Sequence, residues 1–454
     1  MTTSPLRVAV VGSGPAGFYA AGHLLGAELP VQVDMIERLP TPWGLVRLGV
    51  APDHPKIKTV SRAFEKIAAK EGFRFLGNVE VGRDVSHAEL AARYDAVVYT
   101  VGAQTDRRLG IPGEDLAGSI PATALVAWYN GHPDFADLDP DLSGKCAVVI
   151  GAGNVAVDVA RMLALTEAEL QATDTADAAI KAILGSGIEE IVLLARRGPV
   201  QAAFTTPEAI ELQELAGCDT VLDPQELELD PASEAVMVGD TNAERNLEVL
   251  RAIAATPPAG KGKTLRLRFC VSPVEILGDG KVEAIVIERN RLEADDRGRI
   301  NAVPTGERET IPCGIVLRSV GYRGVPIEGV PFDERAGTIR NEGGRITGDD
   351  GAPVPGLYTA GWIKRGPSGV IGTNKKCATE TCDLLLQDAA DGTLPARDAA
   401  AGDLAELLAG RGVQVVDYAG WQRIDAAELA AGEAQGRPRV KLTTWDAQLA
   451  AARC

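Results

Sequence analysis

The 454-residue chain is expected to be an α/β protein built on two parallel sheets. Strand-like apolar runs alternate with helical segments along most of its length. A glycine turn between strand and helix occurs twice, in VAVVGSGPAG (8–17) and VVIGAGNVA (148–156). Fifty glycines suit many tight strand-to-helix turns.

Composition narrows the class. Hydrophobic residues make up 45% and charged residues 24%, as in an ordinary globular protein, and the length suits two or three domains. A net charge of −17 argues against general nucleic-acid binding, because a phosphate backbone would be repelled. Seven scattered cysteines without a CxxC pair fit a reducing compartment, so a cytoplasmic location is expected. Glycines and a proline interrupt the apolar start, which reads as strand-turn-helix, and no apolar run reaches the roughly 18 residues of a membrane span.

Residues 6–37 read as strand, turn, helix and strand, and 96–101 as a further strand closed by Gly102. The pattern restarts at 142–163 and continues into a strand at 189–197. The interval 223–262 is polar and helical in places. Strand-like runs follow at 264–271, 282–288 and 315–320, then glycine-rich turns at 356–376 and a helix from near Cys377. From about 395 the chain is rich in Ala, Asp and Glu and reads as helical.

In the first turn Gly12, Gly14 and Gly17 satisfy GxGxxG directly after an apolar strand, and Glu37 ends the next strand. Gly12 permits the tight turn, Gly14 admits a pyrophosphate to the backbone, and Gly17 lets helix and strand approach. The helix N-terminus offers N–H groups to phosphate, and Glu37 suits ribose hydroxyls. In the second turn Gly151, Gly153 and Ala156 give GxGxxA, and the next strand ends in Arg196 and Arg197. Paired guanidiniums suit a ribose 2′-phosphate, which points to NADP(H) in preference to NAD(H). Each unit is thus a Rossmann-like dinucleotide-binding domain. Two different units in one chain suggest a held FAD and an exchanging NADPH, with hydride passing from nicotinamide to flavin.

Four stretches resemble the adrenodoxin reductase family, and most closely its bacterial, mycobacterial-type NADPH–ferredoxin reductases. They are LPTPWGLVRLGVAPDHPKIK (39–58), GAGNVAVDVAR (151–161), ARRGPVQAAFT (195–205) and GWIKRGPSGVIGTNKK (361–376). The resemblance implies a glutathione-reductase-like architecture with a discontinuous FAD domain (1–105 and 323–454) and an NADP domain (106–322). It implies electron transfer from NADPH to a ferredoxin-type iron–sulfur protein. For FAD it points to Ala16 at the phosphate turn, to Leu45 and Val81, and to Trp362, Gly369, Val370 and Ile371. For NADP it points to Ala152, Gly153, Asn154 and Val155 at the pyrophosphate and to Glu208 as a further contact. His54 falls near the flavin–nicotinamide junction, where Asp158 could fix its tautomer, and Glu211 matches an acidic residue near the reactive ring.

An acidic ferredoxin needs a local positive patch on a chain of this charge, and Arg245, Arg251, Lys261 and Lys263 form the best candidate. Hinges are expected near 103–107 and 320–325. Cys377 and Cys382 lie far downstream of the first turn, against a disulfide reductase. The first cysteine is Cys146, against the cysteine-led small subunit of glutamate synthase. The alternative of a different class is a non-catalytic redox sensor or scaffold that binds both nucleotides. The intact second turn with its arginine pair argues against it.

Overall fold

The computed structural model describes residues 5–453. The chain divides into two compact units, one formed by 1–105, 130–136 and 321–454 and the other by 106–129 and 137–320.

In the first unit the strand Leu6–Val11 lies between Val31–Glu37 and Ala96–Tyr99, parallel to both. Phe73–Gly77 adds outside Val31–Glu37, and Pro353–Thr359 adds in parallel outside Ala96–Tyr99. This last strand comes from the far end of the chain, so the sheet is completed only after the intervening unit has been made. Two short antiparallel strands, Arg345–Thr347 and Asn341–Glu342, close that edge. The central strands are largely apolar because both faces are covered. Val8, Val10 and Val98 pack on one side with Phe18 and Leu24 of the helix Pro15–Leu24. Ala9, Val11 and Val97 pack on the other with Leu90 and Leu404.

The second unit holds a six-stranded parallel sheet. Its order is Ser119–Pro121, Ile315–Arg318, Cys146–Ile150, Glu190–Leu194, Lys263–Arg268 and Cys218–Leu222. A separate antiparallel sheet of Val271–Leu277, Ala284–Ala294 and Ile300–Pro312 packs Ile276, Ile285 and Ile287 into the core with Val148 and Val192.

Three particulars differ from the sequence expectation. The late helix begins at Ile371, six residues before Cys377, and runs to Ala390. Gly369 and Gly372 obscure that start in the sequence. The strand Ile300–Pro312 was not anticipated, because its residues are mostly polar and exposed. Residues 130–136 belong with the first unit. Asp134 there accepts from Trp445 Nε1 (2.9 Å) and pairs with Arg38 (2.7 Å), while Lys441 Nζ donates to Asn130 Oδ1 (3.2 Å). Partners from about 100 to more than 300 residues away leave no local trace.

Candidate functional site: two nucleotide cradles

In the first unit the turn after Leu6–Val11 carries Gly12 at φ +99°, where a β-carbon would sit 2.8 Å from the Thr100 carbonyl oxygen. Thr100 Oγ1 donates to the carbonyls of Val11 (2.9 Å) and Gly12 (2.8 Å), fixing the turn from the neighbouring strand. At Gly17 a β-carbon would lie 2.0 Å from the Gly12 oxygen, so helix and turn meet backbone to backbone. Gly14 is different: a β-carbon there meets no protein atom within 4 Å. The space over Gly14 lies open at the head of the helix Pro15–Leu24, a setting that suits a phosphate group.

Glu37 has its carboxylate turned back to this turn, accepting from Ser13 N–H (2.9 Å), Ser13 Oγ (2.7 Å) and Leu39 N–H (3.0 Å). Ala16 is buried and lies against Gly361, since a β-carbon on Gly361 would come within 2.7 Å of the Ala16 β-carbon. Trp362 follows Gly361, and its indole Nε1 has no hydrogen-bond partner among the described residues. Gly369, Val370 and Ile371 stand at the exposed head of the helix Ile371–Ala390, which packs along Pro15–Leu24. Arg365 holds this approach by donating to Ser368 Oγ (3.0 Å) and Asn374 Oδ1 (3.0 Å).

The loop 39–44 lies on the same turn. Trp43 N–H donates to the Ser13 carbonyl (3.0 Å), and a β-carbon on Gly44 would be 3.0 Å from Gly14 Cα. Leu45, next to it, is exposed. Val81 is partly buried under the sheet and bridges to Val85. Gly12, Gly14, Ala16, Gly17 and Glu37 thus share one turn, and Leu45 and Trp362 directly follow glycines that touch it. Gly369, Val370 and Ile371 lie at the head of a helix packed along Pro15–Leu24, and Val81 packs against the sheet. His54 stands at the start of the short helix Pro55–Lys58 and is half-buried.

The second unit repeats the device. Gly151 has φ +135°, with a β-carbon 2.2 Å from the Ser319 oxygen, and Gly153 again faces open space. Ala156, in the first turn of the helix Asn154–Ala164, is fully buried. The chain after the arginine pair folds back over this turn. Ala203 and Phe204 N–H groups donate to the Ala152 carbonyl (2.7 and 3.1 Å), and Thr205 N–H donates to Asn154 Oδ1 (2.9 Å). Val155 follows Asn154 in the first helical turn.

Arg196 is exposed and Arg197 half-buried, and neither forms an ion pair among the described residues. Burial, and next the neighbouring Arg196, lower the Arg197 guanidinium below its ordinary value. Two adjacent guanidiniums without a carboxylate partner suit an anionic ligand such as a phosphate.

Glu208 is buried on the helix Thr206–Glu214. Glu211, one turn on, pairs with Arg161 Nη1 (2.6 Å), whose Nη2 donates to Asp158 Oδ1 (3.3 Å). The structure thus joins Asp158 and Glu211 through Arg161, a buried residue the sequence reading did not single out. Its signal was present in the i, i+3 spacing from Asp158. Lys261 Nζ donates to the Leu215 carbonyl (2.5 Å) and Lys263 Nζ to the Leu163 carbonyl (2.6 Å), so both ammonium groups cap helix ends. Arg245 and Arg251 are exposed on the helix Thr241–Ala255.

Residues 6–198 match the family described as pyridine nucleotide-disulphide oxidoreductase. The chain is 52% identical over 450 residues to the NADPH-ferredoxin reductase FprA of Mycobacterium tuberculosis, covering 97% of each. It is 42% identical over 464 residues to the mitochondrial NADPH:adrenodoxin oxidoreductase of Arabidopsis thaliana, covering 99% of this chain and 96% of that one. The solved structure of Mycobacterium tuberculosis FprA in complex with NADPH superposes with a TM-score of 0.94 at 51% identity, over 99% of this chain and 100% of that one.

Proposed function

The chain belongs to the adrenodoxin reductase family of NADPH–ferredoxin reductases, and from that premise we propose how its residues divide the work. The protein is an FAD-dependent oxidoreductase that passes electrons from NADPH to a ferredoxin-type iron–sulfur carrier. The observation that carries the division is the contrast between two otherwise parallel cradles. One ends its second strand in Glu37; the other carries Arg196 and Arg197 just past the end of its second strand, Glu190–Leu194.

In this reading the first unit (1–105 with 323–454 as its sequence bounds) holds FAD. The open space at Gly14 takes the pyrophosphate between Gly12, Ala16 and Gly17. Glu37 accepts from the ribose, keeping lone pairs beyond those already used by Ser13 and Leu39. The exposed N–H groups at 369–371 and the unpartnered indole of Trp362 face the remaining polar atoms, with Leu45 and Val81 as apolar lining. FAD, when bound, accepts two electrons as hydride and releases them one at a time.

The second unit (106–322) takes NADP(H). Ala152 to Val155 receive the pyrophosphate at a helix N-terminus, Arg196 and Arg197 the 2′-phosphate, and Glu208 a further polar group of the nucleotide. His54, Asp158 and Glu211 are proposed to orient the nicotinamide and hold protons near it. Arg161, which bonds both carboxylates, holds that pair in position. We assign ferredoxin docking mainly to Arg245 and Arg251. Lys261 and Lys263 contribute field more than contact, because their ammonium groups already cap helices. A cytoplasmic location accords with thiol usage, and no helix among the described residues is long and apolar enough to cross a membrane.

The test is a visible spectrum of the purified protein, followed by anaerobic addition of NADPH or NADH, then of ferredoxin. A flavin spectrum bleached rapidly by NADPH and slowly by NADH, with electrons delivered to ferredoxin, is expected. A colourless protein, or a flavin untouched by either nucleotide, would overturn the assignment and leave the sensor or scaffold.

A further inference from the structure

The arginine pair sits on backbone that its own strand does not hold. The strand Glu190–Leu194 ends before Arg196, and the two arginine carbonyls find their donors in the antiparallel sheet and in the link that leads into it. Asn290 Nδ2 donates to the Arg196 carbonyl (2.9 Å), and Cys270 N–H donates to the Arg197 carbonyl (3.1 Å). These donors are tied together, since Asn290 N–H donates to the Cys270 carbonyl (2.7 Å). Asn290 Nδ2 also donates to Ser272 Oγ (2.8 Å), which fixes the orientation of the amide.

Asn290 is 5% exposed and stands where the pairing of Ala284–Ala294 with Ile300–Pro312 shifts register. A bulge there re-aims one side chain out of the regular ladder. Cys270 has φ +54°, an unusual backbone for a residue other than glycine. Adjacent like charges repel, so an arginine pair converging on one anion must be held by its main chain. The side chain of a buried asparagine, anchored at one end by Ser272, supplies that hold for Arg196.

We propose that Asn290 is a positioning residue for the 2′-phosphate seat. It sets the preference for phosphorylated nucleotide through the Arg196 backbone, without touching the nucleotide itself. The proposal rests on the assignment of Arg196 and Arg197 given above. It predicts that the bulge in the hairpin 284–312, remote in sequence from both glycine turns, tunes nucleotide choice.

The experiment measures binding of adenosine 2′,5′-bisphosphate and of 5′-AMP to the purified holoprotein by calorimetry, together with the NADPH-to-NADH ratio of kcat/KM. Asn290→Ala should weaken the bisphosphate about tenfold while 5′-AMP binding stays within twofold, and the kcat/KM ratio should fall by the same factor. A purely structural role would weaken both ligands together. Ser272→Ala, a milder change should the first variant not fold, should weaken the bisphosphate about threefold and 5′-AMP not at all. Equal losses for both ligands, or no loss for either, overturn the proposal. The Arg196→Ala/Arg197→Ala double variant separates the two layers. If it too leaves the bisphosphate unaffected, the underlying seat is misassigned. If it abolishes selectivity while Asn290→Ala and Ser272→Ala do not, only the positioning role falls.

Discussion

Replacing Glu428 with glutamine removes one charge from a site that water does not reach. Glu428 is fully buried, and its carboxylate accepts from Arg47 through both oxygens (2.8 and 2.5 Å), from Arg439 Nη1 (2.9 Å) and from Leu442 N–H (2.8 Å). Burial alone would raise this carboxyl, but Arg47, followed by Arg439, brings it below its usual value. Arg439 retains Asp425 after the substitution, at 2.7 Å. Arg47 does not: it is 4% exposed, and Glu428 is its carboxylate partner among the described residues. An uncompensated buried guanidinium costs about 3–5 kcal/mol. In a folding unit of this size that corresponds to a fall of roughly 6–20 °C in Tm.

The damage has an address. Arg47 lies in the short helix Leu45–Leu48, directly after the loop that rests on Ser13 and Gly14. Loss of the ion pair should therefore loosen flavin as well as lower Tm. Differential scanning fluorimetry and the flavin-to-protein absorbance ratio after gel filtration measure both. The Arg47→Met/Glu428→Leu double variant should recover most of the stability lost in the single change, because well-packed apolar residues replace a buried pair at little cost. A Glu428→Gln protein that melts within 2 °C of the parent, on the order of 1 kcal/mol or less, would refute the reasoning.

Other expectations concern the cradles and the acid limb of stability. Gly14→Ala should fold normally, since its β-carbon meets open space, yet retain at most a tenth of the flavin. Gly17→Ala should fail to fold, with a contact of 2.0 Å to the Gly12 oxygen, and circular dichroism with flavin content separates the two outcomes. Removing Arg196 and Arg197 together should raise the NADPH KM at least tenfold more than the NADH KM, at about 1.5–3 kcal/mol per charge-assisted contact. Equal effects in steady-state kinetics would argue against a 2′-phosphate seat. Burial pushes the His132 imidazole down to about 4, with Asp134 opposing and Arg38 reinforcing the shift. Its neutral form is favoured in the folded state, so the unfolded chain binds the extra proton. Stability should fall as pH drops from about 6.5 towards 4, by at most ~1.4 kcal/mol per unit. In His132→Gln, urea melts across that range should show a flatter acid limb.

Both glycine turns, Glu37 and the arginine pair could be read from the chain alone, because each is a short-range requirement. A tight turn with positive φ admits glycine, the residue three positions on must let helix meet turn, and the end of the next strand falls at a fixed distance in sequence. Alternating apolar strands and helices likewise specify parallel sheets locally. Tertiary structure alone decided what stands behind these motifs. Arg47 meets Glu428 across 381 residues, Asn290 reaches Arg196 across 94, and Lys263 caps a helix 100 residues away instead of lining a free basic patch. Residues 130–136 join the first unit through Arg38 and Trp445, which no periodicity announces. A hydrogen bond or a buried charge pair depends on where the chain returns in space. The sequence carries the donors and acceptors, and the packing of distant strands and helices selects which of them meet.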